Sequence, residues 1–126
     1  MLIKSPQETV KEIINSKASP SVKLKNIKKL LKELKKDPTK SRYQYVALKY
    51  AIMTLSDALN KSQCMLVVSN ATKKAKPVSS VFMLLSDLKN PSNTPLTALT
   101  NWFTNPTLTH ADMELVLEMS LNSQIQ

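Results

Sequence analysis

Not one glycine occurs in this chain of 126 residues, whereas proline occurs seven times. Tight β-hairpin turns need backbone with positive φ, which glycine supplies at no steric cost. Loops that cradle a phosphate need backbone that can approach without a Cβ. Hairpin meanders, β-sandwiches and glycine-rich nucleotide loops are therefore disfavoured, and helices joined by Pro-, Ser- and Asn-marked connections are favoured. Helix C-termini in such a chain are expected to place Asn in the left-handed conformation, with Asn15, Asn60 and Asn90 positioned for it. The fold class expected is all-α: residues 1–126 as one helical domain, a compact bundle or a short irregular superhelix of about six or seven helices.

Apolar spacing and capping residues place the helices. Ser5-Pro6-Gln7-Glu8 reads as a capping box with Pro at the first helical position, followed by Val10, Ile13 and Ile14 and an end near Asn15. Ser19-Pro20-Ser21 opens a second helix with an apolar face of Leu24, Ile27, Leu30, Leu31 and Leu34, closed by Asp37-Pro38. A third helix, from about Ser41 to Asn60, has a stripe broad enough to imply a central position. A fourth runs from Gln63 to about Thr72, with Ser62 as its cap; its Val-rich run also permits a strand, but no second strand offers itself for pairing. Further helices are expected over 78–88, from Pro95 to Asn105, and from Thr109-His110-Ala111-Asp112 to about Leu121. Short connections predict that consecutive helices are antiparallel neighbours.

Charge is divided unevenly along the chain. Seventeen of the 18 basic residues precede Pro77 with five carboxylates, a net +12, whereas Lys89 against four acids leaves −3 after it. Folding does not require such a split, and it creates a field that attracts polyanions. Lys25, Lys28, Lys29, Lys32, Lys35 and Lys36 occupy the second helix opposite its apolar face, interrupted by Glu33. Like charges at these spacings repel by a few tenths of a kcal/mol per pair. Phosphates would neutralise the stripe and release counterions; a plain solvated lysine face, an acidic protein or an anionic membrane surface are the other readings.

Two flanking clusters could add to it. In Lys40-Ser41-Arg42-Tyr43-Gln44-Tyr45 the cations adjoin aromatics; Tyr43 and Tyr50 fall on the apolar face, and Tyr45, pointing elsewhere, is the candidate for stacking on bases. Lys73, Lys74 and Lys76 read as a basic connection, which with Lys61 would extend the stripe if folding brings them to one side. Lysine supplies all of the positive charge except Arg42, which suits backbone phosphates better than base-edge reading. The Lys and Asn bias is of the kind met in AT-rich genomes, viral ones included.

Catalysis finds no foothold. One Cys and one His support neither a nucleophile–base pair nor a closed metal site, so no catalytic residue, metal or cofactor is expected, and the protein is read as a non-enzyme. Cys64, in an apolar run, reads as a buried small hydrophobe, and His110-Glu114-Glu118 as a solvated stripe. Leu2-Ile3, broken by Lys4 and Pro6, has no secretory shape, and no stretch reaches the roughly 18 apolar residues of a membrane span, so an intracellular location, cytoplasmic or nuclear, is expected. Asp112-Met113-Glu114-Leu115-Val116-Leu117-Glu118-Met119-Ser120-Leu121 resembles a ubiquitin-interacting motif, departing from it at Val116, where the motif carries a small Ala. That resemblance implies an exposed helix, whereas the apolar content of the segment reads as core. The expected function is an accessory domain for nucleic acid, RNA or single strands in preference to duplex DNA. The alternative is a helical protein-interaction module, self-associating or docking through its C-terminal helices.

Overall fold

In the computed structural model, which describes residues 5–123, the chain forms seven helices and, among those residues, no strand. They are α1 (Pro6–Asn15), α2 (Pro20–Lys36), α3 (Tyr43–Asp57), α4 (Lys61–Lys74), α5 (Val81–Lys89), α6 (Pro95–Phe103) and α7 (His110–Asn122). Leu2, Ile3 and Lys4, on which the expectation about a secretory leader rests, lie outside the described residues.

Side-chain caps start four of the helices as the sequence implies, whereas α3 and α5 begin after Arg42 and Ser80 with no side-chain cap, two and three residues later than expected. The Ser5, Ser19, Thr94 and Thr109 hydroxyls accept from Glu8, Val22, Thr97 and Asp112 N–H groups, and Pro stands in the first turn of α1, α2 and α6. At α4 the cap is Asn60, not Ser62: its side chain accepts from Gln63 N–H while the Gln63 side chain accepts from Asn60 N–H. This reciprocal pair satisfies two donors, and its Asn lies two residues before the expected Ser. The segment that permitted a strand is therefore helix.

The helix ends depart from expectation. No described residue has positive φ. Ser16, Asp37, Ala75 and Asn90 at the C-caps are extended, so the chain leaves these helices without a left-handed residue. Asn15 is still helical and Asn60 begins a helix instead of ending one. Orphan carbonyls are met by other means. Lys23, buried on α2, donates from Nζ to the Ile14 carbonyl of α1 at 2.7 Å. Lys61 Nζ donates to the Asn90 and Asn93 carbonyls after α5, at 2.8 and 2.6 Å. A cation at a helix C-terminus answers both the free carbonyls and the dipole.

Around α3 the broad apolar stripe is buried through Ala47, Leu48, Ala51, Ile52 and Leu55. α3 packs on α1 and α7, and less extensively on α2 and α6; α7 in turn packs on α4 and α2. Consecutive neighbours meet at α1–α2, α2–α3, α4–α5 and α5–α6, but α3–α4 and α6–α7 scarcely touch, contrary to the sequential pairing expected. α7 is the reason. With Met113, Val116, Leu117, Ser120 and Leu121 buried, it occupies the space between α3 and α4. Most of its apolar residues are thus buried, with Leu115 and Met119 half-buried, so it does not stand exposed as a ubiquitin-interacting motif does.

Candidate nucleic-acid interface

The α2 lysine face follows from the helical period. Ile27, Leu31 and Leu34 point into the core, and Lys25, Lys28, Lys29, Lys32, Lys35 and Lys36 are all exposed. From Lys25 to Lys36 the stripe runs about 16 Å along the axis at ~1.5 Å per residue. Leu24, Lys25, Lys28, Lys29 and Lys32 line a shallow open groove with Ser21 and Asn26. Its half-buried leucine forms an apolar floor and its four lysines form a cationic rim. Lys35 and Lys36 lie in the last helical turn, where they also complement the macrodipole. Part of the stripe is therefore accounted for by helix stability. Lys25, Lys28 and Lys29, in the first half, have no such role.

Lys40 and Arg42 are exposed on the α2–α3 connection. The Arg42 guanidinium lies over the Tyr43 ring, 5.3 Å from its centroid. Lys40 borders a separate groove between α1, α2 and α3 that also includes Leu30, Glu33 and Tyr43. In the same connection Asp37 accepts from Thr39 N–H at 2.9 Å and Thr39 Oγ1 at 2.7 Å. The Thr39 hydroxyl, then its N–H, hold the carboxyl below its ordinary value.

Tyr45 does not point away from the core. Its ring packs against it, half-buried, and its hydroxyl donates to the Phe103 carbonyl at 2.6 Å. Burial pushes the phenol above its ordinary value. A ring so anchored is a structural strut between α3 and α6, and stacking on a base would require it to leave that contact. Tyr43 packs against the core as expected, and Tyr50 is half-buried.

Lys73 and Lys74 belong to the last turn of α4, leaving Ala75, Lys76 and Pro77 in the connection. All three lysines are exposed, and Lys74 and Lys76 line a groove with Val78, Ser79, Asp112 and Leu115. No α2 residue borders it, and none of residues 73–76 borders the α2 groove. The two basic clusters therefore line different grooves. Lys61, engaged with the carbonyls after α5, does not bridge them.

A polar network escaped the sequence reading. The Asp112 carboxylate accepts from Ser79 Oγ (2.8 Å), Ser80 Oγ (2.8 Å) and Ser80 N–H (3.2 Å), and Trp102 Nε1 donates to Ser80 Oγ at 2.9 Å. It ties the start of α5 to α6 and α7. The one visible signal was Asp112 in the first turn of a helix, where dipole complementarity already explained it.

Cys64 is buried, and burial raises its thiol above the ordinary value. His110 is exposed, Glu114 and Glu118 are half-buried, and among the described residues no group of His, Cys, Asp and Glu could hold a metal. No helix among them is long and apolar enough to cross a membrane. Comparison with protein-family models, with curated proteins and with solved structures finds no match.

Proposed function

We propose that this protein is a non-catalytic, intracellular nucleic-acid-binding domain whose primary contact is the α2 lysine face. The observation that carries the reading is the exposure of six lysines along one helix, opposite buried Ile27, Leu31 and Leu34. An ammonium group on a flexible stem neutralises a phosphate without demanding a fixed orientation, so the contact follows the backbone and reads sequence weakly. The cationic rim around Leu24 gives the strand a shallow track in place of a deep pocket, and a track tolerates strands of any sequence.

Charge reversal tests this. In the triple variant Lys28→Glu, Lys32→Glu, Lys36→Glu, each site changes by two charges on an exposed surface, leaving the core untouched. The expected result is loss of oligonucleotide binding with an unchanged far-UV circular dichroism spectrum. Unchanged binding by a folded triple variant would remove α2 as the interface.

A further inference from the structure

Lys74 and Lys76 line a groove that shares no residue with the α2 face. It lies where the end of α4 and the connection after it pass the first turns of α7. Ala75, Val78, Ala111 and Leu115 give it an apolar lining. Val78 is 89% exposed, more than any other large apolar side chain among the described residues. Burying such a side chain is favourable, and the fold itself makes no use of it.

The polar walls of the groove are already engaged. Asp112 accepts from Ser79 Oγ at 2.8 Å and from the Ser80 hydroxyl and N–H. Thr107 Oγ1 donates to the Asn105 side chain at 2.7 Å, and Thr109 Oγ1 accepts from Asp112 N–H at 3.1 Å. Lys74 and Lys76 differ. Both are exposed, and among the described residues neither ammonium group has a hydrogen bond or an ion pair.

We propose that this groove docks an acidic peptide segment of a partner protein. Its apolar side chains would lie against Val78, Ala111 and Leu115, and its carboxylates against Lys74 and Lys76. This goes beyond the α2 reading and does not depend on it. Charge complementarity selects the occupant. Asp112 is the one carboxylate that lines the groove among the described residues, and its oxygens are taken by the two serines. Glu114 and Glu118 of α7 do not line it. Two unpaired cations against one hydrogen-bonded acid favour an anionic partner.

The apolar lining separates a peptide from other polyanions. A nucleic-acid backbone would meet the lysines but leave Val78 and Leu115 in water, and no aromatic ring lines the groove for a base. An anionic bilayer takes up protruding apolar side chains, which suits Val78 alone and does not reach the half-buried Leu115. The groove is also formed before a partner arrives. The Asp112 bonds tie Ser79 and Ser80 to α7, while Ala75 N–H donates to the Thr72 carbonyl at 3.3 Å and Ser79 N–H to the Lys76 carbonyl at 3.0 Å. Fixed walls lower the ordering cost of binding.

The test is fluorescence anisotropy at physiological salt, where distant charges are screened. The probe is a labelled peptide repeating Glu-Glu-Leu, with counterparts carrying Gln for Glu or Ser for Leu. The proteins are the wild type, the double variant Lys74→Glu, Lys76→Glu, the single variant Val78→Ser and the α2 triple variant, every substitution being on an exposed side chain. The Glu-Glu-Leu peptide should bind the wild type and the triple variant within about twofold of each other, and the double variant about tenfold more weakly. The Gln peptide should lose affinity for the wild type to a similar extent. Val78→Ser, and the Ser peptide on the wild type, should each weaken binding by about threefold or more. If the triple variant loses the peptide and the double variant keeps it, the peptide rides on α2 and the groove assignment is overturned. Loss in the double variant with none in Val78→Ser would make the contact purely ionic and overturn it likewise. If phosphatidylserine vesicles bind through Val78 and the peptide does not, the partner is a membrane and the proposal falls. A peptide that binds no variant also removes it, and the α2 reading then stands or falls on oligouridine binding alone.

Discussion

At the scale of single residues, partners distant in sequence decide what each polar group does. Asp112 is the clearest case, because its carboxylate accepts three hydrogen bonds at the start of α5. Asp112→Ala strands the Ser80 N–H and loosens the hydroxyl that receives Trp102 Nε1. A loss of about 1.5–3 kcal/mol is expected, read as a lower urea midpoint with unchanged m. A midpoint equal to wild type would show the network to be dispensable. For Tyr45, burial raises the phenol above 10.0, so the fold favours the neutral form. Its contribution to stability is complete below pH 10 and is lost as pH rises through the folded-state value. The difference in tyrosinate absorbance between native wild type and Tyr45→Phe should have its midpoint above 10.0. A midpoint at or below that value would mean a solvated ring. Burial of Cys64 was legible because its whole neighbourhood is apolar. Tyr45 was misread because the Phe103 carbonyl that receives its hydroxyl is 58 positions away, and helical spacing alone carries no trace of it.

At the scale of elements, the starts of α1, α2, α6 and α7 were legible in the sequence, whereas those of α3, α4 and α5 and most helix ends were not. N-caps are local: Ser5, Ser19, Thr94 and Thr109 each bond a donor three residues on, so residue type and spacing suffice. C-termini were misjudged because Asn was expected in the left-handed conformation, whereas extended exits and the tertiary cations Lys23 and Lys61 serve instead. Asn60→Ala should cost about 1 kcal/mol, since it removes the capping pair of α4. No change in thermal midpoint would contradict that assignment. In α2, Glu at 28, 32 and 36 turns the like-charge pairs 25/28, 29/32 and 32/35 into attractive ones, but it leaves 28/32 and 32/36 as pairs of like charge and sets an acid in the last turn against the macrodipole. These opposed terms are a few tenths of a kcal/mol each, so the triple variant should stay within about 1 kcal/mol of wild type in urea while losing its ligand. A larger loss of stability would mean these lysines serve the fold.

At the scale of the whole molecule, the helical class was legible from a chain without glycine, and the helix order from its period and caps. The arrangement was not. α3 and α7, far apart in sequence, pack together as the centre of the core, and adjacency along the chain is no guide to that pairing. The basic residues before Pro77 are likewise shared among different grooves, the α2 lysines lining one and Lys74 and Lys76 another. The central claim is that exposed α2 lysines neutralise phosphates, and phosphate neutralisation has a thermodynamic signature. The most direct measurement is the affinity of the wild type and of the triple variant for an oligouridine across a salt series. If six lysines engage phosphates, log K should fall against log salt with a slope near −4 for a single strand. In the triple variant the slope should become shallower by at least about 2 as affinity drops. A wild-type affinity indifferent to salt, or a slope that charge reversal leaves unaltered, would contradict the claim.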